Sequence, residues 1–419
     1  MTSTNNQEPR TKNHDPYAAL RYKNFLWLLV SYALSTVARE AQIVVVGWQV
    51  FALTRDPLSL GLIGLAEALP LIAMALYAGH VADRLSRRTV AVAGTAAVLV
   101  SAVALYLFTV TNFIVAGRVW PVYAVIFFSG LARSFTRPAL TALSAELVPR
   151  ELYSNAVTWR SASWQTAAVA GPALGGLLYG FSGPALAYLV VSVLTAISLA
   201  GVALIGHTAR PERSDVSVVE SVKIGLRFLF RQPVLLPAMT LDLFSVLFGG
   251  ATALLPIFAE RMHAGPQGLG LLRAAPAAGS IVVGLWVAHR PPLRRAGPTL
   301  FACVGIFGLC MIAFAVSRNF WLSLSLLGVS GAADQISVII RGTLIQTLTP
   351  RELLGRVSAV NQIFIGSSNE IGAFESGVAA RILGVVPSVI FGGVMTLVVI
   401  AVIAAWSRPL REMRELQQA

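Results

Sequence analysis

The sequence predicts an all-α membrane protein whose twelve transmembrane helices form two pseudo-symmetric six-helix bundles. Three observations lead there: an apolar composition, long runs without a charge, and an internal repeat. The chain has 419 residues, 56% hydrophobic and 12% charged, whereas a soluble domain carries about a quarter charged residues. Residues 90–110 and 184–206 hold no charge at all. Each run crosses a ~30 Å hydrocarbon core as a helix rising about 1.5 Å per residue. Segments of about ten alternating residues, the mark of a membrane β-barrel, do not occur.

Hydropathy places the spans at 25–53, 58–82, 89–110, 120–144, 155–181 and 184–206, then at 234–259, 266–289, 297–317, 320–346, 356–380 and 385–407. The first and tenth are long enough to tilt. Residues 1–24 form a polar tail without a cleavable apolar core, so the first span serves as its own insertion signal. Residues 25–206 make the first bundle and 234–407 the second, with 408–419 as a second tail. Between the bundles lies the linker 207–233. There Val219, Val222, Leu226 and Leu229 share a helical face opposite Lys223 and Arg227, which predicts a helix lying on the membrane surface.

Orientation follows from Lys and Arg. With both termini and alternate loops on one side, that side holds 21 basic residues against five on the other, so it is cytoplasmic. The formal charge of +13 belongs to these short loops rather than to a nucleic-acid face, which would interleave aromatics with a basic run. Trp27, Trp120, Trp286, Trp321 and Trp406 fall at span ends, where interfacial aromatics belong. Cys303 and Cys310 sit seven apart on one span, too far along the axis for a disulfide, and read as packing residues.

The halves repeat each other. LSAELVPREL at 143–152 returns as LIQTLTPREL at 344–353, displaced by 201 positions. The same displacement pairs Ser129-Gly130 with Ser330-Gly331, Gly171 with Gly372 and Gly176 with Gly377. A displacement of 206 pairs Gly64, Leu65, Glu67 and Pro70 with Gly270, Leu271, Arg273 and Pro276. Parallel repeats build two bundles about an axis along the membrane normal, with solute sites between them near the midplane.

Charges inside spans cost a few kcal/mol or more and need water, a partner or a function. Arg39, Glu40, Glu67, Arg133, Arg137, Asp242, Asp334, Arg341 and Glu370 are the candidates for a substrate or proton path. Arg133 and Arg137 share a helix face with Ser129 and Thr141. Ser330, Asp334, Ser337 and Arg341 make the matching stripe in the second half. Arg133 and Asp334 are repeat equivalents of opposite sign, which predicts that the stripes face each other. Glu370 and Glu375 lie about 140° apart on a helix, so at most one of them faces the path. The alternative is structural: intramembrane pairs also hold helices together, and arginines near span ends snorkel. Arg160 and Arg273 fit that alternative better. A protonatable switch falls on Asp334, Glu40 or Glu67, because protonation removes an unpaired buried charge.

An enzyme is not indicated. No Ser/His/Asp set, clustered metal ligands or phosphate-binding loop is present, and the five histidines stand at span ends or in loops. No cofactor and no direct use of ATP are expected.

The loop after the second span reads Gly79-His80-Val81-Ala82-Asp83-Arg84-Leu85-Ser86-Arg87-Arg88. It resembles the signature loop of the major facilitator superfamily; in the second half His289 stands where its Asp would. The resemblance implies a conformational latch of Gly79, Asp83, Arg84, Arg87 and Arg88 against Gly355 and Arg356, at a helix N-terminus that favours an anion. Gly171-Pro172-Ala173-Leu174-Gly175-Gly176 resembles part of the exporter motif, with Ala167 where a further Gly is usual. Gly171, Pro172, Gly175 and Gly176 then serve exporter-like helix packing. The stretches 47–54, 225–229 and 346–357 are similar to the enterobactin-exporter-like branch of siderophore and drug efflux carriers. The resemblance implies a monomeric carrier in a bacterial inner membrane that exports a small amphiphilic or siderophore-like molecule in exchange for protons. An uptake symporter, and a non-transporting receptor on the same fold, are the other readings.

Overall fold

The computed structural model describes residues 15–206, 218–289 and 295–413, leaving aside the side chains of 75, 76, 78–84, 218 and 219. Each predicted span overlaps helix, the seventh being interrupted at Gly250. The first half contains α1 (Lys23–Thr54), α2 (Pro57–Arg84), α3 (Arg87–Val110), α4 (Trp120–Glu146) and α5 (Tyr153–Ala203). The second half runs through α6 (Val218–Phe230), α7 (Leu235–Gly249), α8 (Leu255–Arg261), α9 (Gly265–Ala288) and α10 (Ala296–Val316). It ends with α11 (Phe320–Leu348), α12 (Arg351–Leu383), α13 (Val385–Trp406) and α14 (Arg408–Glu412). Among the described residues nine helical stretches are long and apolar enough to cross a membrane. The charged helices α4 and α12 are not among them, and α5 counts once although it turns back on itself.

That turn is at Gly183, with φ 76° and ψ −179°. A side chain is strained there, so only glycine lets the chain reverse without a loop. Gly384, with φ 92° and ψ 157°, does the same between α12 and α13. The two glycines are 201 positions apart, so the repeat extends to the hairpins.

Within each half, the apolar faces pack into shared cores. Tyr188, Val45, Val122 and Leu105 meet in the first half, and Leu241, Leu300, Leu344 and Ile340 in the second. Cys303 and Cys310 are free and buried. All five span-end tryptophans keep an exposed face.

The apolar face of α6 packs on protein. Val222, Leu226 and Leu229 pack into the core of the second half, and Leu229 is fully buried. The cause is Gly225: a methyl group there would lie 2.8 Å from the Arg356 carbonyl oxygen. The glycine lets α6 lie flat against α12, which hides its apolar face in protein. The linker residues 207–217 lie outside the described residues.

Two seams join the halves, one of α2 with α12 and one of α5 with α9. A methyl on Gly61 would come within 3.0 Å of Gly377 Cα, and one on Gly176 within 2.9 Å of Gly270 Cα. Each seam is thus backbone against backbone, and the repeat exchanges one seam for the other. Both lie toward the end of the molecule away from the chain termini. There the ion pairs Arg55–Glu260 and Arg381–Asp56, the latter at 3.4 Å, also cross between the halves.

Candidate functional site: a charged crevice between two helical bundles

Pro70 in α2 cannot donate a backbone hydrogen bond, and Gly130 of α4 packs beneath it, 3.0 Å from the Pro70 ring to a methyl placed there. One helical turn earlier stands Glu67. The second half repeats this arrangement: Gly331 of α11 packs against the backbone of Pro276, and Arg273 stands one turn before that proline. The same local packing therefore presents an acid from the first half and a base from the second.

Glu67 is the hub. Its Oε1 accepts from Arg39 Nη2 at 2.9 Å and from Arg133 Nη1 at 3.1 Å. Arg39 Nη1 donates to Glu40 Oε1 at 2.9 Å. Glu370 of α12 completes the group from the other half, with its Oε1 3.9 Å from Arg39 Nη2. Gly171 gives Glu40 its room, since a methyl there would lie 2.6 Å from Glu40 Cβ; Gly175 lies as tightly on Ala41. Gly171, Pro172, Gly175 and Gly176 are all buried. The exporter-like motif thus seats the charged turn of α1 and, through Gly176, joins the second half.

Side-chain exposures of 13% for Arg133 and 27% for Arg39 leave the cluster largely buried but not sealed. Along α4 exposure rises toward the end carrying the termini, where Arg137 and Thr141 are exposed. Arg160 reaches Ser144 Oγ at 2.8 Å and lies over the Tyr32 ring on that side. A weak amide contact, Gln165 to Gln335 at 3.5 Å, joins α5 to α11 there.

Asp242, Asp334 and Arg341 form a separate group. Arg341 pairs with Asp242, and Asp334 shares a small cavity with Asp242, Ser245, Cys303, Phe307 and Ser337. Asp334 therefore does not face Arg133. Each meets groups of its own half, Arg133 through Glu67 and Asp334 in the cavity it shares with Asp242. Glu370 joins the crevice, whereas Glu375 lies in a surface groove with Phe374, Val378 and Ile382. Arg273 is the residue that the path assignment left out. Its electrostatic neighbours are Glu40, Arg39, Glu370 and Glu67, and its repeat equivalence to Glu67 was the signal in the sequence.

Of the latch residues, Gly79 lies within α2, and the side chains of Asp83 and Arg84 lie outside the described residues. Arg87 pairs with Glu146, and Arg88 donates to the Ala203 carbonyl at 2.6 Å. Both contacts stay in the first half. Gly355 and Arg356 do not open a helix, because α12 begins at Arg351; their amides lie inside the helical ladder, and nothing lies within 4 Å of a methyl placed on Gly355.

The profile of a family described as transmembrane secretion effector matches residues 14–419. The chain belongs to this family of the major facilitator superfamily. It is a multi-pass membrane transporter and not an enzyme. The transporter is similar to the uncharacterized MFS-type transporter YfiS of Bacillus subtilis (strain 168), 25% identical, covering 94% of this chain and 95% of that one. It is also similar to the enterobactin exporter EntS of Citrobacter koseri, 28% identical over 57% of this chain and 58% of that one. Solved structures share the fold. A mutant of the nucleoside transporter NupG superposes with a TM-score of 0.71 at 12% identity, covering 91% of this chain and 99% of that one. A bacterial homologue of the human lysosomal transporter Spinster, in an inward-facing and unoccupied conformation, gives 0.69 at 15%, covering 94% and 98%.

Proposed function

We propose that the transporter exports a small amphiphilic or siderophore-like molecule by alternating access, in exchange for protons. The observation that carries this reading is the cluster around Arg39, which brings carboxylates of both halves to one partly exposed point. Twelve traverses in two six-helix units, 25–206 and 234–407, with both termini cytoplasmic in a bacterial inner membrane, complete the proposal. A single chain encloses the whole crevice, which supports a monomeric carrier.

Glu67 holds Arg39 and Arg133 within the first half, whereas Glu370 reaches Arg39 only while the two halves are close. Rocking therefore breaks the pair between the halves and rearranges the cluster around Arg39, and a proton on a carboxylate replaces a lost arginine without leaving a bare charge. Asp334, Glu40 and Glu67 are the proposed proton carriers. One proton entering down 100 mV supplies about 2.3 kcal/mol, roughly a fiftyfold concentration ratio at one proton per substrate.

Proteoliposomes with an imposed pH gradient test the reading. Uptake of an enterobactin-like catecholate into everted-orientation vesicles, driven by inside-acid pH and abolished by an uncoupler, is the expected result. Flux that runs the other way would establish the symporter, and Asn or Gln replacements at all three carboxylates that leave gradient-driven transport intact would remove the proton assignment.

A further inference from the structure

Four arginines meet three carboxylates in the crevice: Arg39, Arg133, Arg137 and Arg273 against Glu40, Glu67 and Glu370. Every carboxylate is already engaged. Glu40, Glu67 and Glu370 all lie within 3.9 Å of Arg39, and Glu67 also holds Arg133. Among the described residues, neither Arg137 nor Arg273 forms an ion pair or a side-chain hydrogen bond, and the Arg273 Nε is buried without a partner.

The two free guanidiniums come from opposite halves, Arg137 from α4 and Arg273 from α9. Both lie in the field of the same acids, since Glu67 and Glu370 act on each of them. With the acids ionised the crevice carries one excess positive charge. A cation entering it would have to displace an arginine from its carboxylate. An anion meets two unengaged planar forks suited to carboxylate or sulfonate geometry. Trp164, 43% exposed, lies seven residues before Gly171 on the same face of α5, and offers an apolar wall on the exposed side.

We propose that Arg137 and Arg273 seat an anionic group of the cargo, and that the cargo is an amphiphilic organic anion. This deepens the transport reading and rests on it for the word cargo. An anion held by α4 and α9 at once bridges the halves, so binding favours the conformation in which they approach.

Three isosteric probes test the charge preference on the purified full chain in detergent: 1-naphthoate, 1-naphthamide and 1-naphthylmethylammonium. A ligand of the folded state raises the unfolding temperature. The expected result is a dose-dependent rise with naphthoate and none with the amide or the ammonium. Arg137→Gln and Arg273→Gln should each weaken naphthoate about tenfold or more, with partial recovery in Arg137→Lys and no loss in Arg160→Gln. If Arg273→Gln does not fold, the exposed Arg137→Gln decides alone. An equal or larger rise with the ammonium, no rise with any probe, or Gln variants that keep the wild-type response would each overturn the proposal. Binding is read without a gradient, so failure of export or proton coupling would leave this result standing. Transport of a neutral solute with no anion binding would sink the inference and keep the carrier.

Discussion

Glu67 carries more of the crevice than its neighbours, because one carboxylate oxygen serves two arginines at 2.9 and 3.1 Å. Removing its charge strands Arg133 and leaves Arg39 with Glu40 and the more distant Glu370. Breaking a buried pair by deleting one member costs about 3–5 kcal/mol. Glu67→Gln should therefore lower the thermal midpoint in detergent clearly, while Glu375→Gln, in its surface groove, should change stability by about 0.5 kcal/mol or less. Equal midpoints for the two variants would contradict the hub role. The Asp242–Arg341 pair makes a parallel case. Arg341→Ala strands Asp242 beside Asp334 and should cost about 3–5 kcal/mol, with much of the loss regained when Asp242→Asn is added, as differential scanning fluorimetry would register.

The helices owe their approach to glycines at repeat-related positions. Gly183 and Gly384 turn the two hairpins with backbone dihedrals that only glycine adopts easily. Gly183→Ala and Gly384→Ala should each destabilise by about 1–3 kcal/mol, and by similar amounts, since the turns are equivalent; chemical denaturation read by tryptophan fluorescence measures this. Gly176 and Gly377 act differently, as close contact points between the two halves. Gly176→Val wedges α5 away from Gly270. Transport should be lost while the protein still folds and elutes as wild type, because overpacking costs only about 1–3 kcal/mol. The spans, the repeat and the motif glycines were legible because apolar runs and Gly spacing are local signals. The protein-covered face of α6 was not, since an amphipathic helix looks the same against lipid and against a neighbouring helix.

For the molecule as a whole, the described conformation is held at the end away from the termini. The Arg55–Glu260 and Arg381–Asp56 pairs cross there, on side chains that are largely exposed. Exposed pairs contribute about 0.2–1 kcal/mol each, enough to bias an equilibrium between two conformations without locking it. Arg55→Glu should shift the population toward the state open at that end, and Arg55→Glu with Glu260→Arg should restore it. Gln267→Cys, which packs over Gly180 at the seam, reports the change in a background without Cys303 and Cys310. Its maleimide labelling should rise roughly fivefold or less in the single variant. An unchanged rate would show that these pairs do not bias the equilibrium.

Composition, uncharged runs and the 201-residue displacement were enough to set an all-α membrane fold with repeated halves, because burial in lipid demands apolar length and self-satisfied backbone. The candidate charges could be enumerated from the chain for the same reason, since each is costly where it stands. Their partners could not be. Arg133 and Asp334 are equivalent in the repeat, yet Arg133 bonds Glu67 and Asp334 shares a small cavity with Asp242. Pairing depends on helix rotation and depth to within a few ångströms, and those follow from the packing of glycines and prolines across helices that are far apart in sequence.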